Sequence, residues 1–251
     1  MYGVFRDSCD GLVNPEQHNG VEVKMKGYIA LKIALALLFL SLFGWTAAAQ
    51  DVRAALIERI RTAVVAVTIY NDDDEVVDQI SGFFISKDGD LLSCRHVFRG
   101  ASRVEVQTRE GKVYIVRLVI AEDPDLDLVQ LLVDVPEGEV PCLRMIDVNA
   151  TNGEQVTAVG YQHIVQGFVS YVRSLSEPRR NFLFSGATAA RATGGPMINK
   201  KGEVIGITTE QDVGDQTATL AIASSCALAL IPRRTETLAD WNARIKAARE
   251  F

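Results

Sequence analysis

Residues 190–196 read Ala-Arg-Ala-Thr-Gly-Gly-Pro. A small hydroxyl residue before Gly-Gly-Pro, with strand-like sequence on both sides, stands where a hydrolase would expose a nucleophile. Here that residue is Thr193, whose hydroxyl carries an extra methyl on the same carbon. A hydroxyl is a poor nucleophile until an imidazole takes its proton, and the imidazole in turn needs a carboxylate to fix its tautomer and stabilise its charged form. Three histidines could serve: His18, His96 and His163. The mechanism of N-terminal threonine hydrolases does not apply, because Thr193 is internal and has no free α-amine to act as base.

The elements that must position such groups read almost entirely as strands. Val52, Leu56 and Ile60 recur every four residues and predict a short amphipathic helix over Asp51–Arg61. After it come AVVAVTIY, QISGFFIS, LLSCRHVF, SRVEVQTRE, KVYIVRLVIA and DLVQLLVDV, rich in β-branched and aromatic residues and separated by polar turns. PEGEVP at 136–141 reads as a linker. A second set follows with CLRMI, EQVTAVGYQ, GFVSYVRSL, PMINKKGEVIGITT and ATLAIASSC. The chain closes on a helix in which Thr237 and Asp240 form a capping pair and Leu238, Trp241, Ile245 and Ala248 make one apolar stripe. Strands without intervening helices argue against a parallel α/β fold. The expectation is an all-β fold of two packed six-stranded antiparallel barrels with short N- and C-terminal helices. Its parts are the N-terminal helix and first barrel over 50–135, the second barrel over 142–232 and the C-terminal helix over 233–251.

Three stretches resemble the trypsin-like serine peptidases of chymotrypsin fold, in particular their Deg/HtrA branch. SGFFISKDGDLLSCRHV (81–97) is similar to the strand and hairpin that lead to the family's catalytic histidine, which falls on His96. DPDLDLVQLL (123–132) is similar to the segment holding the catalytic aspartate just before an apolar strand, which falls on Asp127. ARATGGPMINKKGEVIGITT (190–209) resembles the family's G-N-S-G-G-P block, with the serine position on Thr193. The matches keep the chymotrypsin order of His, Asp and hydroxyl residue and run from about Ile60 to Ile231. Asp125 competes with Asp127, being two residues away on the same face of an extended strand, while Asp123 and Asp125 read as solvated surface residues. His163 reads as a loop residue.

The resemblance also locates departures. It implies an oxyanion hole from the backbone N–H groups of Thr193 and Arg191, and Arg191 stands where the family has glycine. It places Ala187 at the base of the specificity pocket, which implies small or aliphatic P1 side chains, since Ala187 offers no carboxylate to a basic one. The γ-methyl of Thr193 stiffens χ1 and must fit where serine has only hydrogen. The expected function is therefore endopeptidase-type proteolysis by a His96–Asp127–Thr193 triad, weakened or lost. The alternative is a pseudopeptidase that binds a polypeptide or envelope partner without cutting it.

Composition bounds these readings. The chain has 251 residues, is 48% hydrophobic and carries net charge −6 with no long basic run, so nucleic acid is not an expected partner. Lys26 and Lys32, the apolar run Ile33–Trp45 and Ala47-Ala48-Ala49 make residues 25–49 a signal peptide, or an uncleaved membrane anchor if no peptidase removes it. Residues 1–24 have no targeting pattern and are expected to lie upstream of a true start at Met25. The protein is thus expected to be exported, periplasmic or secreted. Of four cysteines, Cys9 lies in that leader, leaving Cys94, Cys142 and Cys226. At most one disulfide can form, such as Cys142–Cys226, and free buried thiols are the alternative. There is no C-x-x-C and no histidine-rich cluster, so neither a metal nor a cofactor is expected.

Overall fold

The computed structural model describes residues 31–32, 53–147, 150–176, 179–186, 192–213, 216–231 and 235–248, with 173–176, 179–181, 186, 211–213 and 216–218 described as backbone alone. The chain divides into two units, Met1–Ala54 and Ala55–Phe251. All the strands belong to the second. Residues 25–49, expected as a signal peptide, lie outside the described residues apart from Leu31 and Lys32, as do Ala187 and Arg191. Among the described residues no helix is long and apolar enough to cross a membrane.

Helix α1 occupies residues 53–61. Six strands follow, β1 (Val64–Tyr70), β2 (Val76–Phe84), β3 (Asp90–Cys94), β4 (Arg103–Gln107), β5 (Val113–Asp123) and β6 (Leu128–Val133). They close into a barrel in the order β1-β2-β3-β6-β5-β4. The second barrel has β7 (Gln155–Val159), β8 (Ile164–Ser176), β9 (Arg179–Gly186), β10 (Pro196–Ile198), β11 (Val204–Val213) and β12 (Gln216–Ala223). Its order, β10-β11-β12-β9-β8-β7, repeats that of the first barrel with first strand paired to fourth and third to sixth. All neighbouring strands are antiparallel. Helices α2 (Ser224–Leu228) and α3 (Leu238–Ala247) follow.

Alternation drives this arrangement, because a strand sends successive side chains to opposite faces. In β4 the pattern is Val104 and Val106 buried with Arg103, Glu105 and Gln107 partly exposed. The turn into β3 requires Gly89: its φ is +98°, and a Cβ there would lie 2.4 Å from the Val133 carbonyl oxygen. Phe83, Leu92 and Leu128 of the first barrel belong to the same apolar cluster as Val156, Met197 and Ile205 of the second, so the two barrels share a core at their junction. Helix α1 joins that cluster through Ile60 and Leu56, the latter lying against Gly202 in the β10–β11 turn. Leu238 and Trp241 of α3 are instead buried in the first barrel's cluster, with Val65, Phe98 and Val119.

The two-barrel expectation holds, with three differences in detail. LLSCRHVF is strand only to Cys94; His96–Phe98 form a 3-10 turn, because Arg95 adopts helical φ and ψ and the backbone leaves the sheet. CLRMI is no strand. Leu143 N–H donates to the Phe84 carbonyl of the first barrel at 2.8 Å, while Met145 makes an isolated bridge to Val204 of the second, so the segment spans the two barrels and extends neither. The sixth strand of the second barrel is instead β9, which pairs with β8 and β12. The C-terminal cap is as expected, Thr237 Oγ1 accepting from Asp240 N–H at 3.2 Å, although Ala248 lies exposed beyond the buried stripe. Cys94, Cys142 and Cys226 are not joined in any disulfide among the described residues, and Cys142 is exposed.

Candidate active site

The turn after β3 and the start of β6 are tied together by one residue. Asp127 has φ +58°, a left-handed conformation that short polar side chains tolerate better than most. That conformation turns both its carbonyl and its carboxylate toward residues 95 and 96. The carbonyl accepts from Arg95 N–H at 2.9 Å, Oδ1 accepts from His96 N–H at 2.8 Å, and Oδ2 lies 2.6 Å from His96 Nδ1. An ionised carboxylate can only accept, so Nδ1 carries the hydrogen and Nε2 is the nitrogen left to take a proton. The Thr209 hydroxyl approaches Asp127 Oδ2 at 3.4 Å from β11.

The carboxylate hydrogen bond raises the His96 pKa above the ordinary value of 6.5; partial burial works against it, and the charges of Asp127 and Asp78 add to it. Asp125 takes no part in this pair, so the choice between the two aspartates falls on Asp127. Asp123 does more than meet solvent: its Oδ1 accepts from the N–H groups of Asp125 and Leu126 at 3.0 and 3.2 Å, shaping the turn that presents Asp127. His163 lies in the β7–β8 turn, where its carbonyl accepts from Gly160 N–H at 2.7 Å.

Thr193 comes from the second barrel, in the turn before β10, and is buried. The turn is fixed from several sides. Thr193 C=O accepts from Ser81 N–H at 2.9 Å, Gly194 N–H donates to Thr208 C=O at 2.7 Å, and Gly195 N–H donates to Ala192 C=O at 2.8 Å. Gly194 has φ +81°, and a Cβ there would stand 2.0 Å from the Ser81 carbonyl oxygen, so no other residue fits. Ser81 is the cross-barrel fastener: besides holding Thr193, its carbonyl accepts from Ser93 Oγ at 2.9 Å and its hydroxyl from Tyr161 N–H at 3.1 Å. Nothing in the motif strings distinguishes Ser81, since its role depends on contacts with residues 80 or more positions away.

Thr193 and His96 line one cleft of about 390 Å³ with Ser81, Ile80, Tyr161 and Glu210. The structure thus brings together His96, Asp127 and the Thr193 turn, while Arg191 and Ala187 fall outside the described residues. Ligand atoms of Cys94, His96 and Asp127 lie within 4.8 Å of one another, but the group does not suit a metal. His96 and Asp127 already share a proton at 2.6 Å, too close for an ion between them. Burial and, after it, the Asp127 charge push the Cys94 thiol up to about 12, so it stays protonated and donates to Thr208 C=O.

The family model for the trypsin-like peptidase domain matches residues 80–207, just over half of the chain and inclusive of all three positions. The chain belongs to the trypsin-like peptidase family. Among its relatives in this family, a probable periplasmic serine endoprotease, DegP-like, of Marinomonas sp. is 29% identical over 60% of this chain and 34% of the relative. The serine endoprotease DegS of Haemophilus influenzae is 30% identical over 55% of this chain and 43% of its own length. The chain spans less than half the length of the curated relatives it matches. A solved serine endoprotease from Yersinia pestis has the same trypsin-like fold, with TM-score 0.59 at 23% identity over 69% of this chain and 62% of that one.

Proposed function

We propose that this member of the trypsin-like peptidase family is an exported endopeptidase that hydrolyses polypeptides slowly, with Thr193 as nucleophile, His96 as general base and Asp127 as the orienting carboxylate. The observation that carries the reading is the 2.6 Å pairing of His96 Nδ1 with Asp127 Oδ2 beside a cleft that Thr193 also lines. With Nδ1 committed, Nε2 takes the hydroxyl proton as the oxygen attacks a peptide carbonyl, then returns it to the leaving amine. The backbone N–H groups of Thr193 and Arg191 would stabilise the oxyanion, and Ala187 would admit small or aliphatic P1 side chains. Export would follow from residues 25–49, in keeping with the periplasmic description of the Marinomonas relative.

The reaction is slow on this reading because Thr193 is buried and its methyl needs room. Crowding of that kind costs about 1–3 kcal/mol, or about 5- to 150-fold in rate. A side chain at position 191 opposes a left-handed backbone by a further ~1–2 kcal/mol wherever glycine's freedom is required. The same substitutions favour a second reading, a pseudopeptidase that retains the cleft and binds polypeptide without cleaving it.

Labelling of the purified chain with a fluorophosphonate probe, alongside Thr193→Ala and His96→Ala, separates the two. Slow labelling of the wild type that both variants lose supports the peptidase. No labelling and no hydrolysis of p-nitrophenyl acetate, with unfolded casein still bound, supports the binding protein.

A further inference from the structure

His96 lies in a three-residue turn, and both ends of that turn are held by a helix about 140 residues later in the chain. On the near side is Arg95, which is buried, donates its backbone N–H to Asp127 and pairs through its guanidinium with Glu122 on β5. The same guanidinium lies over the ring of Trp241 in α3, 5.2 Å from its centroid. Glu122 also accepts from Arg244 of α3 at 2.7 Å, and Arg244 binds Glu236 at 2.7 Å. Burial pushes the Glu122 carboxyl upward, yet the hydrogen bonds from Arg95 and Arg244 together hold it below the usual range, so it is an anion between two cations. On the far side Asn242 of α3 accepts from Gly100 N–H at 2.8 Å and donates to Ala101 C=O at 2.9 Å.

We propose that α3 is the positioning element for His96, acting through Arg95 on one side of the turn and Asn242 on the other. The inference rests on the reading of His96 as the general base. Neither residue touches the reacting atoms. Arg95 fixes where the backbone leaves β3, Asn242 fixes where the turn ends, and between them the imidazole is held within hydrogen-bond reach of Asp127. Other clusters say less: the exposed apolar residues Val76, Val77 and Val113 on the first barrel have nothing against them that names a partner.

The titratable groups facing His96 are Asp127, Asp78 on β2, Arg99 and the protonated Cys94 thiol, with Tyr161 and Glu210 lining the same cleft, and the test alters none of them. Four variants of the full chain suffice. Asn242→Leu releases the far side, Arg244→Met loosens Glu122 at its partly exposed end, and Arg95→Met with Glu122→Gln removes the buried pair together, so that no lone buried charge prevents folding. Arg95→Lys keeps the charge but loses the planar fork. NMR reads the His96 Nδ1 proton and the His96 titration midpoint, and hydrolysis of p-nitrophenyl acetate gives kcat and KM.

In folded Asn242→Leu and in the double variant, the downfield Nδ1 proton signal should broaden or vanish, the midpoint should fall toward 6.5, and kcat should drop ~10-fold or more with KM within ~3-fold. Arg244→Met should show the same changes to a smaller degree, and Arg95→Lys an intermediate one. A folded double variant and a folded Asn242→Leu with wild-type midpoint and kcat overturn the inference. If the wild type hydrolyses nothing but the midpoint still falls in the variants, positioning by α3 stands and the peptidase reading fails.

Discussion

The two sides of the cleft have fared differently. On the first barrel Asp127 makes three hydrogen bonds to residues 95 and 96, one of which fixes the imidazole through Nδ1. On the second barrel the Thr193 turn is equally well fastened, by Ser81, Thr208 and the glycines, yet Thr193, the proposed nucleophile, differs from serine by a methyl, and Arg191 stands where the family resemblance places glycine. Scaffold geometry and chemical competence are therefore separable. The first side can be intact while the second limits the rate, because a proton acceptor does not care which hydroxyl it serves but an attacking oxygen depends on the space around it.

The largest expected effect comes from breaking the intact side. His96→Ala should lower kcat for p-nitrophenyl acetate by ~10³-fold or more, leaving only what binding and the oxyanion donors supply. A loss smaller than ~10-fold would mean that the retained pair contributes little to the rate. The altered side should respond in the opposite direction: Thr193→Ser should raise hydrolysis ~10-fold or more if the methyl is the main defect. If position 191 has cost a backbone donor, only Thr193→Ser with Arg191→Gly restores the rate, and a double-mutant cycle separates the two. A fully active wild type that Thr193→Ser slows would show a site rebuilt around threonine.

Smaller effects sharpen the contrast. Only neutral His96 accepts a proton, and its pKa lies above the ordinary 6.5, so kcat/KM should rise with pH through a midpoint above that value. The profile is read directly from initial rates, and a midpoint at or below 6.5 would mean that the Asp127 bond is not formed in solution. The least change is expected from Thr209→Val, because its hydroxyl reaches Asp127 Oδ2 at only 3.4 Å. A loss of ~2- to 5-fold in kcat fits a weak supporting contact, and ~10²-fold would place Thr209 among the groups essential to the rate.

Much of the fold was readable because its signals are local. Alternating apolar residues and polar turns identify most strands, and the glycines at 89 and 194 occupy φ values that other residues resist. What escaped was tertiary in cause. β9 begins Arg179-Arg180-Asn181 and is missing from the strands the sequence suggests, being fixed as strand by its long hairpin with β8. CLRMI has strand composition but spends its backbone bonds on two different barrels. At the site, Asp127 was legible by its position before an apolar run, whereas Ser81, Arg95 and Asn242 carry no local mark. Their importance lies in partners far along the chain, and no spacing rule reports that.

The helices before and after the barrels cross over: α1 packs through Ile60 and Leu56 on the cluster that includes the second barrel, while Leu238 and Trp241 of α3 complete the core of the first. The core of the first barrel is therefore completed only by residues synthesised after the second barrel. When Val133 ends the first barrel, about 110 residues still separate it from Trp241. At ~5–20 residues per second the nascent barrel waits roughly 5–20 seconds with its end uncapped. Its partly formed state exposes apolar surface throughout that interval, and a chain truncated before residue 238 should remain there, bound by holdase chaperones instead of reaching a native first half.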